Sequence, residues 1–221
     1  MAPAWHRGHK SIAEGPGEKA GETTKENGLK LSRRFDRAFS MAIELHGEQK
    51  RKGSGVPYMG HLLAVTAIVI DDGGTENEAI AALLHDGPED RGGEETLERI
   101  RVEFGDEVAE IVEALSDTFE AVKPPWEERK QAYLDKLRNK PDTDLTRNIL
   151  RVSLADKLHN ARAVKLDWER EGEKVWSHFN ASKEQTLWYY RTLGEIYREK
   201  LGDTPLVKTY LQAELELRDL K

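Results

Sequence analysis

Apolar residues recur every three or four positions along almost the whole chain from Leu31 onward, and this spacing limits the fold more than any other feature. The first such segment places Phe35, Phe39 and Ile43 on one helical face behind Ser32, a residue type that caps helix starts. The run VTAIVI is rich in β-formers, but its apolar neighbours on both sides favour a buried helix. Further helices are predicted at 61–70, 76–86, 95–104, 106–118, 126–138, 143–168, 183–201 and 204–220. The pattern therefore predicts an all-α, multi-helix domain.

Composition divides the chain into a tail and one domain. Residues 1–28 are rich in Gly, Lys, Glu and Thr and contain almost nothing to bury, so we expect a flexible tail there. Residues 29–221 are long enough for one domain with its own core. Residues 118–128 are predicted to contain a loop, because two prolines interrupt them. The amphipathic segment 204–220 has two uses open to it, packing on the domain or forming a homo-oligomer.

Charge and residue usage exclude several classes of protein. The net charge of -7 argues against binding to nucleic-acid polymers, because neutralising phosphates needs a basic surface. The chain has no cysteine, which excludes disulfides and thiolate metal ligands. No apolar run approaches the roughly 20 residues that span a bilayer, and the N-terminus lacks the apolar core of a signal peptide. These features predict a cytoplasmic protein without a nucleic-acid or membrane partner.

The segment LLHDGPED brings charge to the end of an apolar helix, in the side chains His85, Asp86, Glu89 and Asp90. If the helix ends at Asp86, the first two project about 100° apart from its last turn. Pro88 disfavours a continued helix, so the chain bends and carries the two later acids onto a new turn. A plain helix end in solvent and a divalent cation site both fit this pattern. An imidazole and carboxylates without sulfur suit Mn²⁺, Fe²⁺, Mg²⁺ or Zn²⁺.

A second carboxylate is expected in the core. The helix RNILRVSLADKLHNARAVKL is apolar around most of its circumference, which predicts burial on nearly all sides. Asp156 and Asn160 lie four residues apart and share a face of it. A buried carboxylate needs a partner, which is either an arginine or lysine or a metal ion. His61, at the start of an apolar helix, is a further candidate ligand, although a surface or core histidine is the alternative.

Three segments then occur in order, HGEQKRKGSGVPYMGH, LLHDGPED and LADKLHNAR. Together they resemble the hydrolase domain of RelA/SpoT-type stringent-response enzymes and the stand-alone small alarmone hydrolases, within the HD superfamily of metal-dependent phosphohydrolases. The resemblance covers about residues 31–200. It implies an HD-type helical bundle with a buried site for one divalent metal, which is Mn²⁺ in this family.

The resemblance also implies roles for individual residues. The implied metal ligands are His61, His85, Asp86 and Asp156. The implied catalytic pair, which positions and activates the attacking water, is Glu89 and Asp90. The implied nucleotide contacts are Arg51, Lys52 and Asn160. The residues implied to support the site without binding the metal are His46, Gln49 and His159.

The implied activity is removal of the 3′-pyrophosphate from guanosine 3′,5′-bis(diphosphate) or a related alarmone. A divalent metal offsets the phosphate charge and lowers the pKa of water. Two alternatives remain, an HD phosphohydrolase acting on a nucleoside monophosphate, dNTP or cyclic nucleotide, and a non-catalytic nucleotide-binding module. Arg51 and Asn160 favour the alarmone hydrolase, because they belong to the alarmone version of the motif. Leu62, Gly87-Pro88 and Ala163 depart from the family pattern, which leaves the choice between guanine and adenine open.

Aromatic residues concentrate near the end of the chain. They are Trp176, Phe179, Trp188, Tyr189 and Tyr190. Their spacing on late helices predicts a packing cluster, and a base-stacking role is the alternative.

Overall fold

The computed structural model of the protein describes residues 29–118 and 124–220. The expected tail at 1–28 and part of the expected loop at 118–128 lie outside these described residues. The α-helices are α1 (Arg33–His46), α2 (Met59–Asp71), α3 (Glu76–Leu84), α4 (Gly87–Asp90), α5 (Gly93–Phe104), α6 (Asp106–Leu115), α7 (Trp126–Arg138), α8 (Asp144–Glu171), α9 (Lys183–Leu201) and α10 (Pro205–Arg218), with a 3₁₀ helix at Gly172–His178. Extended pairing within the described ranges is limited to one isolated bridge, between Lys50 and Pro57. The all-α prediction is confirmed.

Several helices begin at side chains that accept hydrogen bonds from the first free backbone N–H groups. Ser32 Oγ accepts from the N–H of Arg34 at 3.1 Å, as predicted for α1. Thr75 and Glu78 form a reciprocal capping box at α3, and Thr143 caps α8. These caps satisfy N–H groups that have no partner inside the helix, so they fix the boundaries locally.

The centre of the fold is α3, whose side chains from Ala79 to Leu84 are fully buried. The helices α1, α2, α6 and α8 pack around it. Because α3 is enclosed on all sides, its C-terminal end lies inside the protein. His85 follows directly and is only 2% exposed. The apolar sequence of α3 therefore delivers an imidazole into the interior.

The chain turns sharply after α3, as the proline predicts. The helix ends at Leu84, two residues before the predicted boundary, and His85 is its C-terminal cap. Pro88 then lies in the first turn of α4, where a missing N–H removes no helical hydrogen bond. Gly87 is buried, and a Cβ atom there would lie 3.1 Å from Leu45 Cδ1. Little room therefore exists for a larger residue at the bend.

The longest described helix, α8, spans 28 residues and packs against α2, α3, α6, α9 and α10. The predicted burial of this helix is confirmed, since Ile149, Leu150 and Leu154 are at most 1% exposed. Asp156 lies on the same buried surface and is 4% exposed. None of the described helices is both long enough and apolar enough to cross a membrane.

The last helix packs within the chain. The apolar stripe of α10 lies against α8 and α9, with Val207, Tyr210 and Leu217 fully buried. Intramolecular packing therefore accounts for most of the predicted stripe. The aromatic cluster is confirmed only in part, because Tyr189 and Tyr190 are buried whereas Trp188 is 37% exposed. For Trp188 the packing prediction is wrong, since its position on α9 faces outward.

A buried ion pair joins the core helices and gives a first prediction. Arg151 Nη1 donates to Glu78 Oε1 at 2.5 Å, and its Nε donates to Asp72 Oδ2 at 2.8 Å. Glu78 is fully buried. Arg151→Leu should lower the free energy of unfolding by about 2 to 3 kcal/mol, because it leaves that carboxylate without its cation.

Urea denaturation measures this loss, and Arg147→Leu on the same helix is the matched control. The Arg147 side chain is 52% exposed and pairs with Asp142 and Asp144, so its removal should change stability by no more than about 0.5 kcal/mol. Equal small losses in the two variants would contradict a stabilising role for the Arg151 pair.

Candidate metal centre and adjoining pocket

Four side chains from α2, the α3–α4 bend and α8 meet in the core. His61 Nε2 lies 3.6 Å from Asp86 Oδ2 and 3.3 Å from Asp156 Oδ1. His85 Nε2 lies 3.0 Å from Asp86 Oδ2 and 3.7 Å from Asp156 Oδ1. One possible ligand atom from each of His61, His85 and Asp86 falls within 4.8 Å of the other two. The structure thus brings together all four residues that the sequence singled out as metal ligands.

The hydrogen bonding of His85 fixes which ring nitrogen faces the two carboxylates. Nδ1 lies 2.8 Å from the carbonyl oxygen of Ala82, and a carbonyl can only accept, so Nδ1 carries a proton. Nε2 is buried and has no hydrogen-bond partner, although it points towards two carboxylates. Positive charge at this position, carried either by a proton on Nε2 or by a metal ion that replaces it, offsets the two carboxylates. Imidazole nitrogen and carboxylate oxygen are ligands that a divalent metal accepts, so the donor set fits such an ion.

His61 has a similar outer contact. Its Nδ1 lies 2.8 Å from Nδ1 of His159. Burial, together with His61 and Arg51, lowers the pKa of His159 to about 4, which keeps that ring neutral and able to accept. When His61 donates from Nδ1, its Nε2 keeps a lone pair facing Asp86 and Asp156. The geometry agrees with the supporting position predicted for His159.

The electrostatics of the group follow from burial and close opposite charges. Burial opposes the charged form of His85, but Asp86 and Asp156 outweigh it and raise the pKa of the imidazole well above its usual value. Burial likewise opposes ionisation of the carboxyls, yet the pKa of Asp86 lies well below its usual range because of His85 and His61. Burial opposes ionisation of Asp156 as well, but the positive charge of Lys157 is the strongest of the effects that outweigh it. The pKa of Asp156 therefore also lies well below its usual range.

Two residues at the centre were not predicted from the sequence. Tyr58 OH donates to Asp86 Oδ2 at 2.5 Å, and burial beside that carboxylate raises the pKa of Tyr58 well above its usual value. Lys157 Nζ donates to Asp156 Oδ2 at 2.6 Å. The partners considered for Asp156 were a basic side chain and a metal ion. Lys157 contacts Oδ2, whereas Oδ1 faces the two histidines of the candidate metal site. The signal for each was adjacency, since Lys157 follows Asp156 and Tyr58 precedes His61 by three residues.

The acidic pair lies beside the centre on α4. Glu89 Oε2 accepts from the backbone N–H of Asp117 at 3.3 Å. Asp90 Oδ2 accepts from Gln49 Nε2 at 2.7 Å. The oxygen of the Gln49 amide lies 2.8 Å from His46 Nδ1, and His46 is fully buried. A chain of hydrogen bonds from the core thus orients Asp90, which gives His46 and Gln49 the supporting positions that the sequence predicted.

Two of the three predicted nucleotide contacts, Asn160 and Arg51, are joined to the candidate metal group through Asp156. Asn160 Nδ2 donates to Asp156 Oδ1 at 2.5 Å, and Arg51 Nη2 donates to Asn160 Oδ1 at 2.8 Å. Arg51 lies on the loop between α1 and α2, which the Lys50–Pro57 bridge closes. Lys52 is exposed on the same loop. Each of the three predicted contacts therefore has a defined position relative to the centre.

A cavity of about 580 Å³ opens over Glu89, Asp90 and Tyr58. Its cationic lining residues are Lys50, Arg51, Lys52, Arg129 and Lys130. The sequence did not single out the last two, which bind Asp117, Arg129 at 2.9 Å. Burial lowers the pKa of Lys130, and Asp117 opposes this effect. Cations and carboxylates thus face one another across a space large enough for a nucleotide.

A comparison of the sequence with known proteins identifies the family of the chain. The sequence model described as the HD domain matches residues 38–187. The chain belongs to the HD domain family. This membership was predicted from the three sequence segments and is confirmed.

Relatives within the HD domain family carry names that agree with the predicted resemblance. A Xenopus tropicalis protein named guanosine-3′,5′-bis(diphosphate) 3′-pyrophosphohydrolase MESH1 is 36% identical over 174 residues, covering 77% of this chain and 87% of that protein. A Synechocystis protein named probable guanosine-3′,5′-bis(diphosphate) 3′-pyrophosphohydrolase is 34% identical over 128 residues. That match covers 58% of this chain but only 16% of the relative, so the chain spans about one-sixth of the cyanobacterial protein.

A solved structure shares the fold of this HD-family chain. It is the structure of a metazoan ortholog of SpoT that is described as hydrolyzing ppGpp. The match has a TM-score of 0.66 and covers 87% of this chain and 99% of the other. At 22% identity the likeness concerns the helical arrangement alone. It confirms the predicted HD-type bundle.

The protonation of His85 gives a prediction for metal binding. Below the raised pKa of His85 a proton occupies Nε2, so a metal must displace it. Metal affinity should therefore rise with pH, by about tenfold per pH unit for one displaced proton, and level off above that pKa. Calorimetry in buffers of different ionisation enthalpy should detect the release of protons on metal binding below that pKa, and no release above it. An affinity independent of pH, with no proton release, would show that the metal does not bind this nitrogen.

Proposed function

We propose that the chain is a Mn²⁺-dependent hydrolase that removes the 3′-pyrophosphate from guanosine 3′,5′-bis(diphosphate) or a closely related alarmone. The products are the nucleoside 5′-diphosphate or 5′-triphosphate and pyrophosphate. The observation that carries the proposal is the buried group of His61, His85, Asp86 and Asp156 beside a cavity lined by both cations and carboxylates. Tyr58 connects the two, since it lines the cavity and donates to Asp86. The names of the Xenopus and Synechocystis relatives support the substrate class. The proposal includes a cytoplasmic location, as predicted from the sequence.

The metal would be held by the four ligands on α2, at the α3–α4 bend and on α8. Two imidazoles and two carboxylates without sulfur are compatible with Mn²⁺. Hydrogen bonds with Tyr58, Lys157 and His159 keep Asp86, Asp156 and His61 oriented. When bound, the metal supplies Lewis-acid stabilisation of the phosphoryl oxygens and a lower pKa for water.

The cationic lining binds and orients the phosphates. Arg51 is held by its hydrogen bond to Asn160 and presents a planar, positively charged face for a base or phosphate. Lys52 adds a mobile charge on the same loop. Arg129 and Lys130 lie on α7 across the same cavity. These groups offset the substrate charge that would otherwise repel an oxygen nucleophile.

Glu89 and Asp90 take or relay the proton of the attacking water. Both line the cavity beside Tyr58, which contacts the ligand Asp86. The oxygen of water forms a bond to the phosphorus attached at the 3′ position, and the bond between that phosphorus and the 3′ oxygen breaks. The electron pair of the broken bond goes to the 3′ oxygen, which takes up the proton relayed by these carboxylates and becomes a hydroxyl. Pyrophosphate leaves intact.

Initial rates with a nucleotide panel test the substrate class. The purified full chain with Mn²⁺ should cleave guanosine or adenosine 3′,5′-bis(diphosphate) and leave nucleoside monophosphates, dNTPs and cyclic nucleotides unchanged. Parallel assays with Mg²⁺ and Zn²⁺ test the choice of metal. Cleavage of a monophosphate, dNTP or cyclic nucleotide in place of the 3′-diphosphates would identify a different HD phosphohydrolase.

A further inference from the structure

The loop between α1 and α2 carries three of the cations that line the cavity, which are Lys50, Arg51 and Lys52. We call residues 50–57 the cationic loop. Its two ends are held together, because the N–H of Tyr58 donates to the carbonyl oxygen of Gln49 at 2.8 Å. Arg51 is also attached to α8 through its hydrogen bond to Asn160. The ends of the loop are therefore fixed, and the position of its tip depends on other contacts.

The tip of the cationic loop lies against the imidazole ring of His178. Gly53 has a φ of +85°, a left-handed conformation that glycine adopts without strain. A Cβ atom at this position would lie only 2.9 Å from Cδ2 of His178. Gly55 in the same loop has a φ of +68°, but a Cβ atom there would meet nothing within 4 Å. Close approach to the imidazole is thus a property of Gly53 and not of the loop in general.

The ring of His178 is held from its other side by α8. Its Nε2 lies 2.8 Å from Oε1 of Glu171, and a carboxylate can only accept, so Nε2 carries the proton of this bond. Glu171 is the last residue of α8. The 3₁₀ helix that ends at His178 is anchored by two buried side chains, Val175 and Trp176. The imidazole is therefore attached to the core of the domain.

The helix α8 thus holds the cationic loop at two points. Asn160 accepts from Arg51, and Glu171 fixes the ring on which Gly53 lies. At 1.5 Å per residue these two attachments lie about 16 Å apart along the helix. The same helix carries Asp156 of the candidate metal group. One helix therefore sets the position of the loop cations relative to that group.

We propose that His178 is a positioning residue, which supports the tip of the cationic loop through Gly53 and so fixes the distance of Arg51 and Lys52 from the metal group. This inference rests on the proposed function, in which these two cations bind the nucleotide. Cations that are held in place before the ligand arrives lose less conformational freedom on binding, so the support should appear in the affinity. His178 also lines the cavity, and the experiment therefore has to separate support of the loop from direct contact with the ligand.

A double-mutant cycle between positions 53 and 178 tests the support. The readout is the affinity of the full chain with Mn²⁺ for GDP and for inorganic pyrophosphate, measured by calorimetry. Gly53→Ala should weaken both ligands about tenfold, because the added Cβ displaces the loop from the ring. The same substitution made together with His178→Ala should cost no more than about a further twofold, since the ring that the Cβ would meet is absent. Gly55→Ala is the matched control, because it places a similar backbone strain in the same loop but meets free space, and it should bind both ligands as the wild type does.

His178→Phe separates support from direct contact. Phenylalanine keeps a flat ring against Gly53 but cannot donate a hydrogen bond to a phosphate. It should therefore bind GDP within about threefold of the wild type, whereas His178→Ala should lose about five- to tenfold. In kinetic assays the loss should raise KM and leave kcat nearly unchanged. The affinity for Mn²⁺ alone should be equal in all of these proteins, because neither position belongs to the candidate metal group.

Equal costs of Gly53→Ala with and without the His178 ring would overturn the inference. An affinity of His178→Phe as low as that of His178→Ala would also overturn it, because the imidazole would then contact the ligand itself. Wild-type protein that shows the predicted coupling in GDP binding but cleaves no 3′-diphosphate would remove the proposed function and leave the positioning role standing. Cleavage of the 3′-diphosphate together with independent effects at the two positions would do the reverse.

Discussion

Asp86→Asn should abolish tight metal binding and lower the rate of hydrolysis by about a thousandfold or more, which corresponds to roughly 4 kcal/mol in the transition state. Asp86 Oδ2 is the carboxylate oxygen nearest to His85 Nε2, at 3.0 Å, and it also accepts from Tyr58. Asparagine has nearly the same shape but no charge. The two imidazole nitrogens would then face one carboxylate in place of two, and the site would lose half of its anionic donors.

Metal content after dialysis and kcat/KM with saturating Mn²⁺ measure this effect. Asp135→Asn is a suitable control, because the side chain of Asp135 on α7 is 51% exposed and lies away from the cavity lining. The control should bind metal and turn over as the wild type does. A variant at Asp86 that retains both the metal and the wild-type rate would place the active centre elsewhere in the protein.

Glu89→Gln and Asp90→Asn should each lower kcat by about a hundredfold to ten-thousandfold while metal binding stays unchanged. Neither residue belongs to the group of imidazoles and carboxylates in the core, but both line the cavity above it. The amides keep hydrogen-bonding capacity, so Gln49 can still contact position 90. Only the ability to take a proton is lost, which is why the effect should fall on kcat rather than on KM.

Steady-state kinetics with metal titration separate this outcome from that of Asp86→Asn. Glu94→Gln on α5 is the control, since Glu94 is exposed and does not line the cavity. If the variants at positions 89 and 90 keep the wild-type kcat, the proton passes through another group. If they lose the metal instead, the pair acts as ligands rather than in proton transfer.

Local patterns in the sequence were sufficient for most of the helices. A cap such as Ser32 and an apolar spacing such as that of α8 act within a few residues, so the boundaries could be inferred without tertiary contacts. The bend after α3 was predicted from Pro88 for the same reason. The 3₁₀ helix at Gly172–His178 was missed, because a short helix of this kind has no amphipathic period that identifies it.

The residues of the site could be predicted where they lie in sequence segments that resemble those of a known family. His61, His85 and Asp156 come from α2, the α3–α4 bend and α8, and their convergence was inferred from a family resemblance rather than from spacing. Contacts that depend on tertiary packing were not predicted, as the ion pair between Asp117 and Lys130 illustrates.

Phosphorus NMR of the reaction products tests the central claim most directly. The full chain is incubated with guanosine 3′,5′-bis(diphosphate) and Mn²⁺, with a chelator-treated sample in parallel. The expected products are GDP with a free 3′-hydroxyl and intact pyrophosphate, and the sample without metal should be inactive. Release of orthophosphate, or unchanged substrate in the presence of Mn²⁺, would contradict a metal-dependent 3′-pyrophosphohydrolase at this site.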